Sequence, residues 1–523
     1  VNQLESGVNQ MLGQDWMKEA PHPITKILVA NRGEIACRIF RSCAELGIGS
    51  VAIYSESDRG SLHQQTADES VFLPGDTLAE TYLNIEAILS AARDTGADAI
   101  HPGYGFLSER SAFANAVKEA GLVWIGPSAH AIDEMGDKIS ARRAMIEANV
   151  PVIPGEELPL GEPEDMVDEL VRAATRVGYP LLLKASAGGG GKGMRVVREP
   201  RNLQREYAAA SREAATSFGD GTVYVERLLE KSRHVEVQVL CDSHGNAVHL
   251  FERECSIQRR HQKVVEEAPS PVLKESTRAR MGEAAVNAAS AVDYEGAGTV
   301  EFLLAEDGDF HFLEMNTRLQ VEHPITECIS GTDLVVEQIR VAAGLPLPFS
   351  QADLSIRGHA IEVRIYAEDP SNGFLPAIGP LALFRPPSGP GIRLDTGVRE
   401  GDEARIDFDP MLAKLIVHAP DRDAAIRRMK RACEDFVLLG VTTNLGFLCD
   451  IMGHPAYHAG DTTTDFIDVN WPEGWVAQTS DTAPFIAAAA EHFGLTRKSA
   501  IIESSEGRGS PYNPFQTLRR SFP

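Results

Sequence analysis

The sequence predicts an α/β fold in three parts: a parallel α/β domain, a central unit in which a small lid joins a larger sheet, and a C-terminal α+β domain. Three observations predict it. Lys26 to Ser55 reads as strand, helix, strand. The middle of the chain sets short strands around a run of glycines and a strong hairpin signal. From Gly358 the pattern changes to short strands and turns followed by one helix. A chain of 523 residues is long enough for about three or four cores.

The leader VNQLESGVNQMLGQDWMKEA has no charged-then-apolar signal architecture. KILVA then starts a buried strand, and GEIACRIFRSCAELG places Ile35, Ile39, Cys43 and Leu46 at helical spacing before the strand SVAIYS. ADAIHPGYGFLSE and LVWIGPS repeat a buried strand ending in a glycine turn, so residues up to about Pro127 form the parallel domain. AIDEMGDKISARRAMIEANV reads as one helix with Ile132, Met135, Ile139 and Ile146 on a stripe, broken at VPVIPGEELP. A second unit begins near Pro154 with a helix over Glu164 to Val177 and the strand YPLLLKAS. The loop AGGGGKG, the strand MRVV and a helix over Leu203 to Ala215 follow. TVYVERLL is a strand, and RHVEVQVLCDSHGNAVHLFERECS is a strand pair turning at His244-Gly245-Asn246. GHAIEVRIYAEDP, GPLALFRPPSGPGIRLDTG and LAKLIVHAP then supply short strands, and DRDAAIRRMKRACEDF a helix. Beyond about Trp475 an Ala-, Ser- and Pro-rich stretch lacks periodicity and reads as an extension or linker.

A formal charge of -25 and a pI near 5.1 argue against nonspecific nucleic-acid binding, which needs a basic field. The seven cysteines show no CxxC pair and no zinc spacing, so they read as reduced thiols of a cytoplasmic-type compartment. No window reaches the length of a membrane span.

The richest stretch is TVEFLLAEDGDFHFLEMNTRLQVEHP, Thr299 to Pro324. If Asp307-Gly308 forms a two-residue turn, Glu306 faces Asp309 and Glu301 lies directly opposite Glu314. Facing carboxylates repel unless a cation sits between them. Counting on in twos from Glu314 gives Asn316, Arg318, Gln320 and Glu322, all polar, while Met315, Leu319 and Val321 between them are apolar. One face thus carries two hard-cation ligands, amides, a guanidinium and a further carboxylate, with the strand breaking before Glu322. The alternative is a solvated face on an edge hairpin.

SAGGGGKGMRVV matches GxGxxG formally, but the strand after it excludes a Rossmann turn and the missing Lys-Ser/Thr excludes a P-loop. Its glycines suit either a flap whose amides close over phosphate oxygens or a plain hairpin tip. Lys184, in the apolar strand LLLKA beside this loop, is either snorkelling or paired with an anion, and beside a glycine flap a nucleotide phosphate is the better partner. CSIQRRHQKVVEEAP packs Arg259, Arg260, His261 and Lys263 together; alone it is a solvated face, and beside a cation site it is an anion cradle. Arg364 lies inside the otherwise apolar strand AIEVRIYAEDP and points to a specific anionic partner.

Taken in order, KILVANRGEIACRI, HPGYGFLSE, MGDKISAR, KASAGGGGKGMRVV, CSIQRRHQKVVEEAP, EMNTRLQVEHPITE, GHAIEVRIYAEDP and FDPMLAKLIV give a recognisable series. Over about Lys26 to Trp475 the chain resembles the biotin carboxylase component of biotin-dependent carboxylases, a branch of the ATP-grasp enzymes. The resemblance implies a leader (1–25), a pre-ATP-grasp α/β domain (26–137), an ATP-grasp domain (138–357, mobile lid about 155–228), a C-terminal domain (358–475) and an extension (476–523). It implies ATP held by Lys138, Lys184, the flap with Gly190 and Gly191, Glu226, Arg227, Leu228, Leu229, His234, Gln258 and His261. Glu301, Glu314 and Asn316 would ligate Mg²⁺ or Mn²⁺. Lys263, Arg318, Gln320, Val321 and Glu322 would surround bicarbonate, with Glu322 the general base, and Arg364 would face biotin. Implied partners are a carrier protein bearing biotin, a carboxyltransferase and a second copy of the chain. Two other classes share part of this pattern. A different ATP-grasp ligase would not need Arg364 or the RRHQK cluster, and a non-catalytic nucleotide-binding regulator would show a broken ligand set.

The family's biotinyl lysine lies in an Ala-Met-Lys-Met turn. The Met-Lys pairs here, Met17-Lys18 and Met429-Lys430, fall in an irregular leader and a predicted helix. Biotin is therefore expected on a separate protein. Intact-mass analysis of this chain from a biotin-fed host should show no biotinyl adduct, and a one-biotin shift would refute supply in trans.

Overall fold

Short β-branched runs ending in glycine turns form the first sheet. The computed structural model describes residues 16–156, 158, 167–185, 194–259, 262–405, 407–477 and 486. Strands β1 (Lys26–Val29), β2 (Gly49–Tyr54), β3 (Glu69–Phe72), β4 (Ala99–His101) and β5 (Val123–Trp124) run parallel in the order β3-β2-β1-β4-β5. Helix α1 (Gly33–Leu46) buries Ile35, Ile39 and Cys43 and stops where Gly47 turns left-handed at φ 69°. The helix expected over residues 130–150 is two. Asp137 ends the first and caps α2 (Lys138–Glu147) by accepting from the Ser140 amide at 2.7 Å. The apolar stripe is therefore not continuous, and Ile146 is left 54% exposed.

The lid sheet has the order β6-β9-β7-β8, from β6 (Gly155–Glu156), β7 (Leu181–Ala185), β8 (Arg195–Val197) and β9 (Val223–Arg227), all antiparallel. It keeps its own apolar cluster, with Leu170, Leu181, Leu183, Val197, Tyr207 and Val225 buried together. The glycine loop, including Gly190 and Gly191, lies outside the described residues, as does His261.

The central sheet has eight antiparallel strands. They are β10 (Arg233–Cys241), β11 (Ala247–Arg259), β12 (Gln262–Ala268), β13 (Gly296–Leu304), β14 (Phe310–Asn316), β15 (His359–Tyr366), β16 (Ile392–Thr396) and β17 (Met411–Ala419), in the order β14-β13-β10-β11-β12-β15-β17-β16. Alternation divides their faces. Val235, Val237, Val300, Phe302 and Phe310 pack with Met281 and Ala285 of α3 (Glu275–Ser290), leaving His234, Glu236 and Glu301 on the opposite face. The strands of the C-terminal part pair into this same sheet through β12 and β15, and α5 (Arg422–Asp435) covers them.

Glu301 does face Glu314, but by a different route from the one expected. The turn holds three residues between Ala305 and Asp309, with Gly308 at φ 88°, so β13 and β14 leave it one residue out of the predicted register. A bulge at Leu313, where Phe302 pairs with Phe312 and Glu301 with Glu314, puts the register back. The sequence carries the signal: core residues Phe310 and Phe312 are followed by Met315, an odd step. A second correction concerns the polar run. The strand ends at Asn316, and residues 317–322 form a loop that delivers Glu322 to the start of α4 (His323–Ser330).

Charged side chains tie α1, α4, β16 and β17 together where they meet. Glu327 of α4 is paired with Arg38 of α1 at 2.8 Å and with Arg393 of β16 at 2.7 Å. Asp395 binds the same Arg393 at 2.7 Å, and fully buried Lys414 lies 3.3 Å from Glu34. The seven cysteines are unpaired thiols, and no helix among the described residues is long and apolar enough to cross a membrane.

Burial opposes the Glu327 charge, but Arg38 and Arg393 outweigh it and bring the carboxyl down to about 2. A depressed carboxylate contributes stability that is complete above the unfolded value, about 4.3, and is lost as pH falls through the folded one. Glu327→Gln should lower unfolding stability by about 3 kcal/mol at pH 7, the difference vanishing as pH falls from about 5 to 2. Urea unfolding across that range checks it.

Candidate active site

The polar face of the central sheet sets three glutamates abreast. Glu314 on β14 pairs with Glu301 on β13, Glu301 with Glu236 on β10, and Glu236 with Arg253 on β11. Neighbouring strands are about 4.8 Å apart, so the row holds only with cations and donors laid over it. Lys263 reaches across from β12 to Glu236 at 2.5 Å, Glu301 at 2.9 Å and Glu322 at 2.7 Å. Arg253, fully buried, donates to Glu236, Gln238, Thr326, Thr299 and Gln320 at 2.5–3.1 Å. Because a guanidinium only donates, Gln320 must turn its oxygen to Arg253, and its amide NH₂ then donates to Glu301 at 2.8 Å. Asn316 donates to Glu301 at 2.9 Å and His234 pairs with it at 2.8 Å. Among the described residues Glu314 accepts no hydrogen bond.

The loop 317–322 closes one side. Arg318 donates to Glu109 and to Asn316, both at 2.8 Å. The Val321 carbonyl accepts from Lys414 at 2.7 Å, which ties the loop to β17. Glu322 lies between Lys263 and Arg364, the latter at 3.0 Å, and Arg364 also donates to Glu266 at 2.7 Å.

This packing sorts the carboxyls. Burial works to raise Glu322, but Lys263, Arg364 and Arg253 hold it well below the ordinary range. Glu301 is likewise lowered against its burial by Lys263 and His234. Glu314 is raised by burial and by the Glu301 charge, with Lys138 and Lys184 pulling the other way. Of these three, Glu314 is the one whose charge its surroundings favour least.

Three family models match: "Biotin carboxylase, N-terminal domain" over residues 23–132, "Carbamoyl-phosphate synthase L chain, ATP binding domain" over 137–350, and "Biotin carboxylase C-terminal domain" over 362–469. The biotin carboxylase of Halalkalibacterium halodurans is 51% identical over 442 residues, 84% of this chain and 97% of that protein. The chain belongs to the biotin carboxylase family. The propionyl-CoA carboxylase alpha chain of Ruegeria pomeroyi is 48% identical over 511 residues, 92% of this chain and 74% of the relative. The biotin carboxylase domain dimer of Hydrogenobacter thermophilus 2-oxoglutarate carboxylase, solved with MgADP, ADP and bicarbonate, superposes with a TM-score of 0.83 at 45% identity, covering 88% of this chain and 99% of that one. Campylobacter jejuni biotin carboxylase gives 0.82 at 44% identity, covering 85% and 99%. The three-domain fold expected from the motifs is therefore the fold of the chain, and the chain is an ATP-grasp enzyme of the biotin carboxylase type.

The remaining expected residues that the structure describes lie on α2, on or just after the lid strands β7 and β9, and on β10 and β11. Buried Lys184 pairs with Glu226 at 3.0 Å, its charge favoured by Glu226 and Tyr224 against burial. Lys138 opens α2, and burial together with the Lys184 charge lowers its pKa. Gln258 donates toward His234 Nδ1 at 3.4 Å. Leu228 donates its amide to the Pro180 carbonyl at 3.0 Å, and Ser232 donates to the Leu229 carbonyl at 3.4 Å. Arg227 turns outward, donating to the Val177 carbonyl at 3.4 Å. Glu301, Glu314 and Asn316 could offer an all-oxygen donor set to Mg²⁺; here the Asn316 oxygen accepts from Arg318.

Sequence reasoning missed Glu236, Arg253, Glu266 and Lys414. Glu236 and Lys414 are charges between apolar neighbours, the same signal that singled out Lys184 and Arg364, whereas Arg253 and Glu266 stand beside other charges in FERE and VVEE. Glu109, which holds Arg318 from the first domain, leaves no such trace.

Proposed function

We propose that this chain carboxylates biotin on a carrier protein, using ATP and bicarbonate through carboxyphosphate, as the first half-reaction of an acyl-CoA carboxylase of the acetyl- or propionyl-CoA type. The observation that carries the reading is Glu322, held ionised between Lys263 and Arg364 beside the facing Glu301–Glu314 pair. The likeness to an alpha chain of propionyl-CoA carboxylase supports the acceptor class. The complex solved with MgADP and bicarbonate supports the ligands, and its dimer supports a second copy as partner.

Bicarbonate is a weak nucleophile until its proton is removed. Arg318 and Lys263 take the anion, which draws Lys263 off Glu322 and raises the basicity of that carboxylate. Glu322 accepts the O–H proton. The electron pair left on oxygen attacks the γ-phosphorus as its bond to the ADP oxygen breaks. Lys138, Lys184 and the glycine loop neutralise phosphate charge. Glu301, Glu314 and Asn316 would hold Mg²⁺ or Mn²⁺, which neutralises the β- and γ-phosphate oxygens when bound. Carboxyphosphate breaks down to CO₂ and phosphate, and the phosphate takes the N1′ proton of biotin. Arg364 stabilises the enolate-like ureido oxygen while N1′ attacks CO₂.

ATP hydrolysis should depend on bicarbonate and rise with free biotin; ATP hydrolysis indifferent to both would refute the reading. Glu301→Gln and Glu314→Gln should abolish turnover through the metal, with partial recovery at high Mn²⁺. Glu322→Gln should keep nucleotide affinity while the rate falls by about 10²-fold or more. Equal nucleotide-binding losses in all three, measured by calorimetry, would overturn this division of roles.

A further inference from the structure

Arg364 reaches two buried carboxylates at once. Its Nε and Nη2 lie 2.7 and 2.6 Å from Glu266, and Nη2 lies 3.0 Å from Glu322. The two partners are not equivalent. Glu322 also carries Lys263 and, in the reaction proposed above, receives the bicarbonate proton. Once protonated it is neutral, and the charge-assisted half of its hold on Arg364 is gone. The guanidinium is needed just then, when biotin loses its own proton.

Glu266 stands outside that proton transfer. It projects from β12 opposite Glu362 of β15, is fully buried, and among the described residues has Arg364 as its only hydrogen-bonding partner, its second oxygen remaining unpartnered. The backbone of Arg364 is fixed independently, since Asn444 donates to its carbonyl at 2.9 Å and β17 pairs along β15. Glu266 therefore contributes to orienting the far end of the side chain, not the strand. We infer that Glu266 is a positioning residue that keeps Arg364 aimed at the ureido oxygen of biotin while Glu322 is protonated. This inference rests on the proposed function and assigns Glu266 to the second step of it alone.

The test separates the two steps. Bicarbonate-dependent ATP hydrolysis is measured without biotin, and kcat/KM for free biotin is measured with saturating ATP and bicarbonate, in wild type, Glu266→Gln and Glu266→Asp. In Glu266→Gln the biotin kcat/KM should fall roughly tenfold to a hundredfold more than the hydrolysis does, the scale of one charged hydrogen bond. Glu266→Asp keeps the charge on a shorter arm and should fall between; it carries the test if the Gln variant does not fold. In an Arg364→Met background Glu266→Gln should add less than about twofold, because its effect runs through the missing guanidinium. Parallel losses in both activities, or full additivity with Arg364→Met, would overturn the inference. A wild-type chain with no bicarbonate-dependent hydrolysis would instead overturn the proposed function.

Discussion

The central constraint is a crowd of carboxylates on one sheet face. Glu236, Glu301 and Glu314 stand on three adjacent strands, and Glu322 and Glu266 close in from a loop and from β12. Left uncompensated, such a group would push its members toward the neutral acid. Lys263 spans three carboxylates and helps hold Glu301 and Glu322 below the ordinary range, and Arg253 fixes which end of Gln320 meets Glu301. Buried networks of this kind stabilise little overall, but removing one partner strands a charge, so they specify one arrangement.

That arrangement leaves an uneven face. Glu301 and Glu322 are lowered by the cations around them, whereas Glu314 is raised by burial and by the negative Glu301 opposite it, against Lys138, Lys184 and His234. An incoming anion would compete for Lys263 and Arg318, loosening the hold on Glu322. In the proposed reaction the substrates would complete the charge balance that the protein alone leaves unfinished, coupling their binding to the activation of the base.

Distant parts of the chain are needed to shape this face. Glu109 of the first domain holds Arg318, Lys414 of β17 holds the Val321 carbonyl, and Arg364 comes from β15. The pairing of Arg38 and Arg393 on Glu327 fastens α1 and β16 to the helix that follows the Glu322 loop. The loop between β14 and α4 is therefore held by both flanking domains.

Much of this was readable from the chain. Hydrophobic alternation gave away the strands, and the facing of Glu301 and Glu314 followed from a hairpin signal between two such strands. The ordered motifs named the family, and charges inside apolar strands marked Lys184 and Arg364. The turn length was not readable, because the one-residue shift it makes is cancelled by the bulge at Leu313 before the glutamates meet, and the only trace of that bulge is the odd step from Phe312 to Met315. Nor was the end of β14 at Asn316, since a polar residue every second position looks the same in a strand and in a loop that folds back onto the site. The sequence by itself determined which residue types line the site and that like charges would meet there. Only the tertiary structure decided who neutralises whom, because Lys263, Arg253, Glu266 and Lys414 reach their partners across strands whose order is set by long-range pairing, and no local pattern encodes that order.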